Sequence, residues 1–146
     1  MKRYANVNWK GPLTSGSGRI ESTQSGALGE LPLSFKARFE DETGRAGTNP
    51  EELIAAAHAS CFSMALAHAL AQNGTPAESL DAKAEIELQP KEGGGFEIRG
   101  SALTVVGKVP GLDEERFQEI AKGAKENCPV SRALGAINIT LDARFA

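Results

Sequence analysis

The stretch "EELIAAAHASCFSMALAHAL", residues 51–70, constrains the fold more than any other part of the chain. After Glu52 no charged residue occurs until Glu78. "TNPEEL" ahead of it reads as a helix start. Asn49 is placed as the N-cap, Pro50 as the first helical residue and Glu52 at N3, completing a capping box. The pattern predicts a helix from Pro50 to about Gln72, ended by Asn73-Gly74. Leu53 to Ala71 has about the length of a membrane span, but it is built largely of alanine, with His58, Ser60, Ser63 and His68 inside it. That composition favours a buried helix of a soluble protein over insertion. A helix that is apolar nearly all round has to be covered on several sides. One mixed domain of 146 residues has few surfaces for the task, so an intertwined homodimer is expected, with two such helices packed together.

The rest of the chain predicts strands around this helix. Tyr4–Trp9 alternates Val7 and Trp9 against Asn6 and Asn8, and a second strand lies around Gly18–Thr23. "ELPLSFKARFE" alternates as a third strand, with Leu31, Leu33, Phe35 and Ala37 on one face and Ser34, Lys36 and Arg38 on the other. "SLDAKAEIELQP" and "GFEIRGSALTVVGKV" form a hairpin about the turn "KEGGG". "LDEERFQEIAKGAKENC" is an amphipathic helix N-capped by Asp113, with Phe117, Ile120, Ala121 and Ala124 inward. It stops at Cys128-Pro129, where proline disfavours helical angles in the residue before it. "VSRALG" is a further helical turn, and "AINITLDARFA" closes the fold as a strand with Ile137, Ile139 and Leu141 inward. With no linker, repeat or low-complexity tract, the pattern is a single α+β domain over 1–146.

A net charge of −3 and scattered basic residues argue against a nucleic-acid footprint. The start, "MKRYANVNWKG", lacks the apolar segment of a signal peptide. A cytoplasmic location is expected. In such a reducing compartment Cys61 and Cys128 are either thiols with a chemical task or buried fillers.

Both readings stand for the two cysteines on residue types alone. Neither lies in a C-x-x-C pair, and the surrounding His and acidic residues lack zinc-ligand spacing, so no metal or cofactor is expected. Burial raises a thiol's pKa, so a reactive Cys61 needs a cation. Arg38 is the leading candidate, because its guanidinium stays charged where water is scarce; Arg19 and Arg132 are its rivals. The alternative for Arg38 is an ordinary surface position. Glu51 suits the helix dipole and also has the chemistry to hold Arg38 in a bidentate pair. Ten helical residues put Glu51 roughly 15 Å from Cys61 along the axis. Either Arg38 bridges that gap, or Glu51 comes from a partner subunit, which agrees with the expected dimer. His58, at i−3 from Cys61, is either a partner of the thiol or a polar filler of a helix–helix contact. If "PVSRAL" opens a helical turn, Cys128 stands at its positive end.

"RFE", "GTNPEELIAAAHASCFSMAL" and "CPVSRAL" resemble the osmotically inducible/organic hydroperoxide resistance family (OsmC/Ohr), and its OsmC branch more closely. The likeness runs from "VNWKG" to "INITLDARF". It implies an intertwined α+β homodimer, two β-sheets wrapped around long central helices. It also implies a cysteine-based peroxidase that reduces organic hydroperoxides, and less efficiently hydrogen peroxide. By motif, Cys61 would be the peroxidatic and Cys128 the resolving cysteine, joined in an intramolecular disulfide. Arg38 and Glu51 would be the activating pair, and an external dithiol, of lipoyl type in the family, would restore the thiols. The other reading is a non-catalytic dimer that senses oxidation or holds a hydrophobic ligand.

Overall fold

The order of elements follows from where alternation gives way to helical spacing. The computed structural model describes residues 1–146. It has strands β1 (Ala5–Lys10), β2 (Ser17–Thr23) and β3 (Leu31–Ser34), and helices α1 (Phe35–Phe39) and α2 (Pro50–Gln72). The hairpin β4 (Ser79–Pro90) and β5 (Phe96–Lys108) follows, then α3 (Glu114–Asn127), α4 (Pro129–Ala133) and β6 (Asn138–Phe145). The chain forms two compact units, residues 1–53 and 54–146, and the boundary falls within the first turn of α2.

The first unit is built on an antiparallel sheet ordered β1-β2-β3. Here the structure corrects the expectation of a strand running through Arg38. Ser34 ends β3 and caps α1: its hydroxyl accepts the Ala37 N–H at 3.1 Å. A serine side chain that satisfies an orphan N–H turns an alternating pattern into a helical one. Phe35 and Phe39 then stand one turn apart, with ring centroids 4.9 Å from each other, and Ala37 is buried. Arg38 therefore projects from a helix.

The second unit holds a sheet ordered β4-β5-β6, with β4 and β5 antiparallel and β5 and β6 parallel. Its core joins Phe62, Leu66 and Leu70 of α2 to Leu103 and Val105 of β5 and Phe117 of α3. Residues 101, 103, 105 and 107 of β5 point inward by strand period. Gly107 is required there, because a Cβ would lie 2.5 Å from the Phe117 ring. Phe117 is fully buried, and its truncation to alanine would cost about 3–5 kcal/mol.

The ends of α2 follow the predicted chemistry in part. The Asn49 side chain accepts the Glu52 N–H at 2.8 Å. The reciprocal half of the capping box is replaced, since Glu52 instead accepts from the Thr48 hydroxyl at 2.6 Å. At the other end Gly74, at φ 80°, closes a Schellman turn. Its N–H donates to the Ala71 carbonyl, and the Thr75 N–H to Leu70.

Within one chain α2 is far less covered than its composition demands. Beyond its first turn, the buried positions are His58, Phe62, Leu66 and Leu70, a single stripe at intervals of four. Of its most apolar 18-residue window only 22 % is buried, and by length and composition the helix would also suit a membrane span. Ala57, Ser60, Met64, Ala67 and Ala71 form an exposed seam spaced three and four residues apart. Met64 is 74 % exposed.

Candidate active site

Two groupings of reactive side chains arise, one in each unit. In residues 54–146, α2 presents Cys61 and the junction of α3 and α4 presents Cys128. Proline at 129 stops α3 at Cys128, whose N–H still donates to the Ala124 carbonyl. The same residue N-caps α4, and the Ser131 N–H donates to its Sγ at 3.5 Å. Both thiols are free, Cys61 partly accessible and Cys128 fully buried. Cys61 packs against the core that contains Cys128, near enough for each thiol to shift the other's ionisation.

Their acidities diverge. Burial pushes the Cys61 thiol up; the Val130 N–H opposes this, but the neighbouring Cys128 adds to the rise. Burial also acts upward on Cys128, yet the N–H and hydroxyl of Ser131, the neighbouring Cys61 and the Val130 N–H together bring it below its ordinary value. Donors at a helix start favour the anionic form of sulfur. Within the single chain Cys128 is thus the readier thiolate, and the groups acting on the sulfurs are neutral donors and each other.

Behind Cys128 stands a polar cluster that the sequence reading did not identify. His58 is fully buried; its Nδ1 lies 2.7 Å from Ser101 Oγ and its Nε2 2.8 Å from Ser131 Oγ. Both ring nitrogens are therefore occupied by serines, so His58 is not a partner of the Cys61 thiol. Nor does it fill a plain helix–helix contact: it joins α2, β5 and α4. Burial lowers its pKa and keeps it neutral. The signal in the sequence was a matched pair of exceptions: Ser101 on the inward side of an apolar strand, and a histidine in an apolar helix.

In residues 1–53, Arg38 and Glu51 form a bidentate pair. Arg38 Nη2 donates to Glu51 Oε1 at 2.7 Å and Nε to Oε2 at 3.2 Å. Glu51 is buried, while Arg38 keeps a third of its side chain exposed and lies with Cζ 4.8 Å from the Phe39 ring centroid. The fork geometry fixes the guanidinium plane. Beside it opens an apolar pocket of about 200 Å³ walled by Trp9, Leu13, Leu33, Phe35 and Phe39. Arg19, the rival cation, is exposed on β2 and pairs with Glu30 at 3.1 Å. Arg132 is exposed on α4. His68 is exposed and lines a separate groove of about 670 Å³ with Asn73 and Arg116.

Comparison with known proteins fits these features to a family. The profile described as OsmC-like protein matches residues 41–142. Peroxiredoxin OsmC of Escherichia coli (strain K12) is 47% identical over 142 residues, covering 97% of this chain and 95% of its own. Organic hydroperoxide resistance protein OhrB of Bacillus subtilis (strain 168) is 37% identical over 101 residues, 68% of this chain and 71% of that one. Among solved structures, OhrB of Bacillus subtilis superposes with a TM-score of 0.72 at 30% identity, covering 97% of this chain and 98% of that one. An organic hydroperoxide resistance protein OsmC from Legionella pneumophila gives 0.74 at 27% identity, covering 97% and 96%. The α+β architecture of two small sheets with one long apolar helix is that of the OsmC/Ohr proteins, and the chain belongs to the OsmC family.

Proposed function

We propose that this protein is a thiol-dependent peroxidase that reduces organic hydroperoxides, and less efficiently hydrogen peroxide, to alcohols or water. The observation that carries the reading is the proximity of a partly accessible Cys61 to a fully buried Cys128, packed in one core and each shifting the other's ionisation. The likeness to peroxiredoxin OsmC supports it. The Cys61 thiolate attacks the terminal oxygen of the hydroperoxide. An S–O bond forms, the O–O bond breaks, and the alkoxide leaves as alcohol after taking a proton. Cys128 then attacks the sulfenic sulfur, expelling water and forming the disulfide. An external dithiol restores both thiols, and a lipoyl-type dithiol is the first to try.

Cys61 needs a cation, because its own surroundings raise its pKa. Arg38, aligned by Glu51, is the cation we assign. It would favour the thiolate and donate to the peroxide oxygens as charge develops. The apolar pocket beside Arg38 suits an alkyl substituent. We assign the pair in trans: Arg38 and Glu51 of one subunit serve Cys61 of the other. The exposed seam of α2, with its spacing of three and four, supports a homodimer joined along that helix. In that arrangement residues 1–146 act as one OsmC-like domain, α2 is covered by a second copy of itself, and two free thiols suit the cytoplasm.

Steady-state consumption of cumene hydroperoxide with a dithiol donor tests the reading. Repeated turnover is expected; oxidation that stops after one equivalent per subunit would indicate a sensor instead. The Cys128→Ser variant should show a full first turnover by rapid mixing, then stall with Cys61 as sulfenic acid or over-oxidised.

A further inference from the structure

We infer that His58, clasped between Ser101 and Ser131, is a positioning residue of the thiol pair. It fixes the start of α4 against α2, so that Cys128 is the sulfur expelled as thiolate when the Cys61–Cys128 disulfide is reduced. The disulfide is the one in the peroxidase reading, on which this inference rests.

The clasp acts at a specific place. His58 and Cys61 lie on one helix, three residues apart, so the element that carries the first sulfur also carries the imidazole. The imidazole holds the Ser131 hydroxyl at 2.8 Å, and the backbone N–H of the same serine lies on Cys128 Sγ at 3.5 Å. Ser101 Oγ, at 2.7 Å on the other nitrogen, sets the ring plane from β5. A neutral imidazole donates from one nitrogen and accepts at the other, and serine hydroxyls serve either need. The cluster is thereby satisfied, and no buried side-chain N or O atom in the structure lacks a partner. Apolar side chains would fill this space without the desolvation cost of three polar groups. What the polar version adds is a fixed position for the Ser131 N–H.

Two observations give the direction of reduction. Cys61 is partly accessible and Cys128 is fully buried, so an incoming thiolate reaches the sulfur of Cys61. The Ser131 N–H at the start of α4, which would stabilise a leaving thiolate, lies on Cys128. A thiolate of the reductant attacks Cys61 Sγ, and a new S–S bond joins reductant to Cys61. The Cys61–Cys128 bond breaks, and its electron pair leaves on Cys128 Sγ. The second thiolate of the dithiol then attacks the reductant's own sulfur in the mixed disulfide, releasing Cys61 as thiolate and the dithiol as its disulfide. A better-stabilised leaving thiolate makes the first step faster.

The test uses full-length protein oxidised with diamide. Glutathione in excess is added, the reaction is quenched in acid within the first turnover, and peptides are mapped by mass without reduction. The adduct is expected on Cys61, in about tenfold excess over Cys128. Reduction by dithiothreitol should slow about tenfold in Ser131→Ala and in His58→Gln, the size of losing one hydrogen bond to a charged group. Oxidation of reduced Cys61 by cumene hydroperoxide should change less than about twofold in both, a split between half-reactions that general loosening would not give. Adduct on Cys128, or wild-type reduction rates in the variants, would overturn the inference. If His58→Gln does not fold, Ser131→Ala decides, since it removes one oxygen atom. Failure of the wild type to turn over hydroperoxide would sink the peroxidase reading while these rates on a diamide-made disulfide still test the clasp.

Discussion

The two groupings of reactive side chains are opposites in chemical content. The one in residues 54–146 has sulfur and neutral donors: Cys61 and Cys128 share one core, and the start of α4 supplies N–H groups. The one in residues 1–53 has a fixed cation and an apolar pocket: Arg38 is locked by Glu51 beside Phe35 and Phe39. The first can form a disulfide but leaves its accessible sulfur with a raised pKa. The second can stabilise an anion and receive an alkyl group but carries no nucleophile. The contrast teaches that proximity of two thiols is not activation. A peroxidase needs what both groupings offer, and the dimer proposed above, exchanging them between subunits, would provide it.

The largest effect expected falls on the sulfur side. Cys61→Ser should lower hydroperoxide turnover by at least about 10³-fold while the circular dichroism spectrum stays that of the wild type. Turnover near the wild-type rate in that variant would remove the nucleophile from the account. On the cation side, Arg38→Ala should raise the thiolate pKa of Cys61, read by absorbance at 240 nm, and slow its oxidation about 10²-fold. An unchanged titration would mean that the Arg38–Glu51 pair serves the fold alone. The link between the two is tested at the helix seam. Met64→Arg places an unpaired charge there and should weaken self-association by about 10²-fold or more in sedimentation. Activity should then fall on dilution. Monomeric wild-type protein at full activity would break the link.

The smallest effect concerns His58. Burial holds its pKa below the ordinary value, so the unfolded chain binds the proton more readily. The stability from neutral His58 is fully present above about pH 6.5. It declines as pH falls through that value toward the lower folded pKa, by at most about 1.4 kcal/mol per pH unit. Urea unfolding at pH 7.5 and pH 5 should show this loss in the wild type and a smaller loss in His58→Gln. Equal losses in the two proteins would mean that His58 titrates normally.

Much of the fold was legible because local signals and burial agreed. Asn49-Pro50, Asn73-Gly74, the "KEGGG" turn and Asp113 each place an element end through a side chain or backbone angle close in sequence. Alternation extends β3 through Arg38 because Ser34 serves two patterns: it continues an alternation and it caps a helix, and only the second satisfies the Ala37 N–H. The capping box was half right because Thr48 offered Glu52 a better partner than the Asn49 N–H. In the site, the approach of the two thiols within one core brings together residues 67 apart in sequence, which no spacing rule encodes. The family likeness suggested it; the residue types alone did not. The His58 clasp was hidden for a related reason, since Ser101 and Ser131 are common residues whose meaning appears only when β5 and α4 bring them to one imidazole.

Subunit complementation reads whether the Arg38 cation acts across subunits. Arg38→Ala subunits with one affinity tag and Cys61→Ser subunits with another are co-expressed, and the mixed dimer is isolated through both tags. Neither parent dimer has an intact site. The mixed dimer, in which Cys61 of the Arg38→Ala subunit meets Arg38 of the Cys61→Ser subunit, should recover about half of wild-type turnover. Activity no higher than that of the Arg38→Ala parent would rule out a cation supplied in trans.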